Sequence, residues 1–244
     1  MKNVFLVMFC FHVCVINAQQ KATWDYPLKP GMDEWNQLKT EEERIAAVQV
    51  PEDILKHLSS EELVQLVITF PLFGDYGAFS TPQNDGFYIM RERFNVFGHL
   101  LTRKDAGKHL IAVYKDAGMK GFNTLPYSNK FWTFKMDYIE LVLTQRNIML
   151  SLTSAEKLDL LIESMKKFSE KINDDAFSSL PGLEPSIRIM ASILDLEEYQ
   201  EFTASRNREK LTCFIQTGVL NDVSLIDEII RISDDYINSK KHTL

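Results

Sequence analysis

The chain has 244 residues and a formal net charge of −7, with 45% hydrophobic and 25% charged residues. That apolar content suffices for a packed core and excludes a disordered chain. The acidic balance, with no basic run interleaved with aromatics, excludes a phosphate-backbone binder, so no nucleic-acid partner is expected.

Met1 to Ala18 reads as a secretory signal peptide, residues 1–18. Lys2 gives the positive start, Val4 to Ile16 the apolar run, and Ile16-Asn17-Ala18 precedes a cut before Gln19. The run is shorter than the roughly 20 apolar residues a bilayer span needs. A lipid anchor on Cys10 or Cys14 would need small residues before the cysteine, where Phe9 and Val13 stand. No second apolar stretch is long enough for a membrane span, and a periplasmic or extracellular location is expected. After cleavage only Cys213 remains, so no internal disulfide can form. Its setting, Leu211-Thr212-Cys213-Phe214-Ile215, reads as a small buried hydrophobe rather than a nucleophile.

Gln19 to Gly31 is an extended lead-in, followed by a short helix over Asp33 to Leu38, with Trp24 and Trp35 as anchors. Thr40 and Glu43 form a capping box that opens a helix through Val48, and Pro51 starts another over Glu52 to Leu58. Ser59 and Glu62 form a second box, with Leu63, Leu66, Val67 and Phe70 on one stripe before Pro71 ends the helix. Phe70, Phe73, Tyr76 and Phe79 crowd the turn that follows and read as a core plug rather than a ligand platform. Thr81-Pro82 restarts a helix in which Phe87, Met90, Phe94, Phe97 and Leu101 recur at steps of three and four. Thr102 is expected to cap the next helix, which buries Leu110, Ile111, Val113 and Tyr114 and stops at Gly118.

The motifs Tyr26-Pro27-Leu28-Lys29-Pro30-Gly31, Val50-Pro51-Glu52-Asp53-Ile54-Leu55, Phe70-Pro71-Leu72 and Arg103-Lys104-Asp105-Ala106-Gly107, with Trp35, carry a resemblance. Over about Tyr26 to Tyr114 the chain resembles secreted, helix-rich proteins of Bacteroidota-type bacteria with no assigned activity. The resemblance implies no catalytic residues. It does not extend to the C-terminal half.

Met119 to Lys130 is rich in Gly, Asn, Pro and Ser and marks a boundary between residues 19–118 and 119–244, two helical regions expected to pack as one unit. Asn129 caps a long helix from Lys130 to about Leu150, with Phe131, Phe134, Tyr138, Leu141, Val142 and Ile148 on its apolar side. Thr153 and Glu156 form a third capping box. The helix beyond is expected to bury Leu158, Leu161, Ile162, Met165, Phe168 and Ile172. Ser178 to Pro185 reads as a turn, and Pro185 as the opening of a helix with Ile187, Ile189, Met190, Ile193 and Leu194 inside. Glu197 to Gln216 reads as one helix ending near Gly218. Asp222 caps the last, with Leu225, Ile226, Ile229, Ile230 and Ile237 buried. With almost no two-residue alternation, the fold class is all-α: eight to ten antiparallel helices in a helical-hairpin array or irregular bundle.

Reaction motifs are missing. There is no His-Glu-x-x-His, no Gly-x-Ser-x-Gly, no phosphate-binding glycine loop and no calcium loop, so neither metal nor cofactor is expected. His99 and His109 could share a metal only if their helices folded back, and further ligands are not evident. Ser154-x-x-Lys157 and Ser164-x-x-Lys167 lack the partner motifs of penicillin-recognising enzymes. The carboxylate pairs Asp174-Asp175, Glu197-Glu198 and Asp234-Asp235 read as solvated faces and caps. Tyr127, Phe131 and Trp132, with Phe134, form the candidate binding surface, since Trp132 falls off the apolar stripe of its helix and exposed aromatics anchor partners; the alternative is that Trp132 packs against the next helix pair. The sequence thus points to an exported helical interaction module for a protein or peptide partner at the bacterial cell envelope. The alternative is a hydrolase or lyase acting on an envelope or dietary polymer. Mass spectrometry of the exported protein should find Gln19 at the mature N-terminus; a retained Met1, or a lipid on Cys10 or Cys14, would contradict the export reading.

Overall fold

The computed structural model describes residues 24–78, 85–117, 129–173 and 180–241, and of residues 78, 129–133 and 180 the backbone alone. No strand occurs among the described residues, and the all-α expectation holds. The first helices are α1 (Asp33–Gln37), α2 (Glu41–Ala47), α3 (Glu52–Leu55) and α4 (Ser60–Ile68). A 3-10 turn (Phe73–Ala78) leads to α5 (Phe87–Arg93), α6 (Asn95–Leu100) and α7 (Ala106–Asp116). Then come α8 (Asn129–Leu143), α9 (Arg146–Ser151), α10 (Ser154–Ile172) and α11 (Leu180–Leu196). The chain closes with α12 (Gln200–Thr203), α13 (Arg208–Thr217) and α14 (Ser224–Lys241). None of these helices is long and apolar enough to cross a membrane.

All three capping boxes form as the sequence dictates: Thr40, Ser59 and Thr153 each accept from the amide three residues on, and Glu43, Glu62 and Glu156 reach back. Gly218 ends α13 with φ 73, and the Asp222 carboxylate accepts from the Ser224 amide at 3.1 Å at the head of α14. Thr102 does not cap α7. Its hydroxyl donates back to the His99 carbonyl, and Asp105 occupies the cap position while its carboxylate accepts from Ser60. Within α7, a Cβ on Gly107 would collide with the Leu152 side chain, so glycine lets the α9 end approach.

Several helices that read as continuous are broken, without proline or glycine. Phe94 takes an extended conformation (φ −110, ψ 109) and splits the stripe Phe87–Leu101 into α5 and α6. Gln145 does the same between α8 and α9 (φ −63, ψ 130), while its side-chain Nε2 and the Thr144 hydroxyl donate to the Leu141 carbonyl, each at 2.9 Å. Glu198, at φ 49, ends α11, where the amides of Tyr199 and Glu198 donate back to the carbonyls of Leu194 and Asp195. That bonding pattern is a Schellman stop with glutamate where glycine is usual. It separates α11 from the expected Glu197–Gln216 helix, which is itself divided into α12 and α13. Conversely, α11 begins at Leu180, so Pro185 lies inside it. A proline there removes one hydrogen bond of the helix.

The α10 and α11 helices run antiparallel: Lys157 near the start of α10 pairs with Glu197 beyond the end of α11, while Lys171 at the far end of α10 reaches Gly182 in the first turn of α11. Residues 135–143 of α8 and 182–194 of α11 are buried nearly all round. α8 packs on α4, α7, α11 and the 3-10 turn, and α11 also packs on α10, α13 and α14. One continuous apolar cluster runs from Tyr26 to Ile237, with Trp35, Phe70 and Tyr76 inside it as expected. The face of α10 is rotated from the expected one. Ile162 and Ile172 are exposed, whereas Leu160, Leu161, Ser164, Lys167, Phe168 and Lys171 point inward. The apolar periodicity misplaced the seam because two lysines find acceptors in the interior.

Phe94 is 1% exposed and stacks on Phe70 with ring centroids 3.9 Å apart. Phe94→Ala should therefore cost about 3–5 kcal/mol, read as a large fall in the urea midpoint. Tyr88→Ala, on a residue 55% exposed, should melt close to wild type.

Candidate functional site

Of the expected binding surface, Tyr127 lies outside the described residues. Phe131 and Trp132 fall in the first turn of α8, where the backbone alone is described. The other sequence candidates are not brought together. His99 pairs with Glu52 at 3.1 Å and His109 with Asp105 at 3.6 Å, and no metal-binding group of three ligands exists among the described residues. Ser164 is buried and donates to the Leu160 carbonyl, and Ser154 donates to Glu197, so neither serine bonds its nearby lysine. Cys213 is exposed rather than buried, because Leu211 and Phe214 take the inner face of α13. Asp174 and Asp175 lie outside the described residues. Glu197 is no solvated face: it accepts from Lys157, Tyr236 and Ser154.

The polar core of the molecule lies between α7, α8, α10 and α11. Lys171, fully buried, donates to Glu140 at 2.6 Å, Asp137 at 3.0 Å and the Gly182 carbonyl at 2.9 Å. Glu140, also fully buried, accepts from the Tyr114 and Ser186 hydroxyls, each at 2.6 Å. Burial pulls the Lys171 ammonium down, but the two carboxylates and their hydrogen bonds outweigh it and hold the group above its ordinary value. One turn earlier, Lys167 donates to the Ala117 carbonyl at 2.6 Å, which caps the C-terminal end of α7. This cluster joins four helices through mutually satisfied groups. Such a network rigidifies and fixes packing.

Two neighbours have shifted protonation. Burial pushes the Asp137 carboxyl up to about 7 against the pull of Lys171. Burial brings Lys135 down to about 7. The Lys135 ammonium has no hydrogen bond or ion pair among the described residues and sits over the rings of Phe73 and Tyr138, 4.6 and 5.9 Å from their centroids. Each shift is dominated by the group's own burial and neither draws on the other, so the two do not form an acid–base pair.

A different arrangement opens to solvent. A cleft of about 290 Å³ lies between α5, the α8–α9 junction, α11 and α13, with Arg91, Arg146 and Arg188 among its lining residues. Along α11, Arg188, Ser192, Asp195 and Leu196 face it, at the i, i+4, i+7, i+8 spacing that keeps residues on one side of a helix. Arg188 is held rigidly. Its Nε donates to the Ile215 carbonyl at 2.8 Å and its Nη2 to the Gln216 carbonyl at 3.1 Å, at the negative end of α13. Burial alone lowers its guanidinium to about 10. Arg91 donates to the Gln145 side-chain carbonyl at 3.1 Å and pairs with Glu92. Asp195, the acidic group in the cleft, is paired with Arg208. Arg146 and Arg188 therefore stand without a carboxylate among the described residues, on an acidic protein. Met149, Leu196 and Ile215 add apolar wall. The sequence carries one trace of the cleft: Arg188 is the one charged residue between Ile187 and Leu194.

The buried lysine generates a pH test. A lysine lowered in the folded state binds fewer protons than the unfolded chain between about pH 7 and 10.5. Its contribution to stability therefore rises with pH across that window, by about 1.4 kcal/mol per unit at most. Asp137, raised in the folded state, acts oppositely: its contribution falls as pH rises from its ordinary value of 3.8 towards 7. Lys135→Met should be more stable than wild type at pH 7, with the advantage shrinking as denaturant melts are moved to pH 9. A difference independent of pH would contradict the burial account.

Comparison of the chain with protein-family models, curated proteins and solved structures finds no match. The functional reading rests on the geometry of the cleft.

Proposed function

We propose that the protein is an exported, non-enzymatic helical module that binds a protein or peptide partner at the bacterial cell envelope, and that the partner docks in the arginine-lined cleft. The observation that carries this reading is the uncompensated charge of Arg146 and Arg188 in an open cleft with apolar flanks. Charge complementarity of this kind selects a partner and speeds encounter. Apolar surface beside it supplies affinity. The rival reading, a hydrolase or lyase acting on an envelope or dietary polymer, needs titratable groups that converge on a substrate. Asp137 is engaged with Lys171, and Lys135 is perturbed independently of it.

Quantitative capture from envelope extract tests the proposal, with wild type and Arg146→Glu as baits. Arg146 is exposed and makes no described hydrogen bond or ion pair, so the variant should fold as wild type does. A partner held by wild type and lost from the variant is the expected outcome. The same proteins retained by both baits would contradict docking in the cleft.

A further inference from the structure

We infer that the group seated in the cleft is an oxyanion, a carboxylate or a phosphate, gripped by Arg188, Arg146 and the Ser192 hydroxyl. The inference rests on the cleft being the binding site, as proposed above, but not on the ligand being a macromolecule.

The Arg188 guanidinium is half-buried, and its Nε and one Nη2 hydrogen are committed to the α13 carbonyls. Those bonds fix the plane of the group. They leave Nη1 with no acceptor among the described residues, and Nη1 is not sealed from solvent. Two peptide carbonyls satisfy hydrogen bonds but bring no full negative charge. A cation removed from water without a counter-charge is unfavourable, and an anion arriving at Nη1 relieves that cost. Planar guanidinium donors match carboxylate and phosphate oxygens.

Ser192 is the second observation. It stands one turn after Arg188 on the same face of α11 and is only 7% exposed. Its hydroxyl has no partner among the described residues and is not sealed, so it reaches the cleft with its hydrogen bond unmade. Hydroxyls that are largely buried are ordinarily satisfied. A donor left open beside an anchored arginine fits an acceptor ligand. Arg146, exposed and free of described partners, enters from the α8–α9 junction on another wall. Gln145 holds Arg91 in place beside it by accepting from Nη1. The cavity, about 290 Å³, admits an oxyanion with a short apolar appendage against Met149, Leu196 and Ile215.

The test uses the full mature chain at low ionic strength, where screening is weak. Titrations with inorganic phosphate, with acetyl-alanyl-leucine bearing a free carboxylate, and with the amide of that dipeptide would be followed by backbone amide NMR. Phosphate reports a free anion, and the dipeptide a carboxylate supplied by a chain terminus. The expected result is saturable shifts on α11 and the α8–α9 junction with phosphate, with the free-acid dipeptide or with both, and none with the amide. Arg146→Gln and Ser192→Ala should each weaken binding several-fold, and Arg188→Gln should abolish it. Because Arg188→Gln also frees the end of α13, the first two variants carry the decision. No saturable shift in wild type, equal binding of the amide, or affinity unchanged in both Arg146→Gln and Ser192→Ala would overturn the inference. If oxyanions bind as expected while envelope capture is indifferent to Arg146, the inference stands and the partner-docking proposal falls. If capture depends on Arg146 but no oxyanion binds, the reverse holds.

Discussion

Lys171 and Glu140 meet at 2.6 Å in the centre of the C-terminal helices, both without solvent exposure. Either charge alone in that position would be severely unfavourable, so each requires the other. Around the pair, Asp137, Tyr114, Ser186 and the Gly182 carbonyl complete the coordination. Because the six groups come from α7, α8, α10 and α11, the register of four helices is tied to one electrostatic contact. An apolar seam tolerates sliding by a turn. A lysine that must find two carboxylates and a carbonyl does not. The carbonyl that Lys171 bonds, that of Gly182, lies in the first turn of α11, ahead of Pro185.

The consequence for function is rigidity where the cleft is built. Arg188 and Ser192 lie on α11 two and six residues beyond Ser186, which is itself bonded to Glu140. Gln145 and Arg146 lie two and three residues beyond the end of α8, the helix that carries Glu140 and Asp137. The polar knot thus anchors two walls of the cleft from behind, and the α13 carbonyls hold the arginine from the side. Donors positioned before a ligand arrives lose little freedom on binding.

Local chemistry was legible in the sequence and long-range chemistry was not. The capping boxes at Thr40, Ser59 and Thr153, the helix end at Gly218 and the aromatic plug of Phe70 and Tyr76 all follow from residues a few positions apart. The breaks at Phe94 and Gln145 carry no proline or glycine and arise from tertiary packing, so periodicity passed through them. The rotation of α10 has a sharper cause. Lys167 and Lys171 count as solvent-facing in any hydropathy pattern, and only acceptors from α7, α8 and α11 bring them inside. The cleft was hidden for the same reason, since Arg91, Arg146 and Arg188 belong to three helices distant in sequence. A charged residue at an otherwise apolar position, such as Glu140 between Ile139 and Leu141 or Arg188 between Ile187 and Ile189, is the trace such interiors leave.

A double-mutant cycle on Lys171 and Glu140 tests the central claim most directly. Lys171→Met and Glu140→Gln would be measured singly and together by urea unfolding. If the pair locks the helices, each single substitution should cost about 3–5 kcal/mol, and the double should cost clearly less than the two combined, because neither charge is then stranded. Additive losses, or single variants that melt like wild type, would contradict the account.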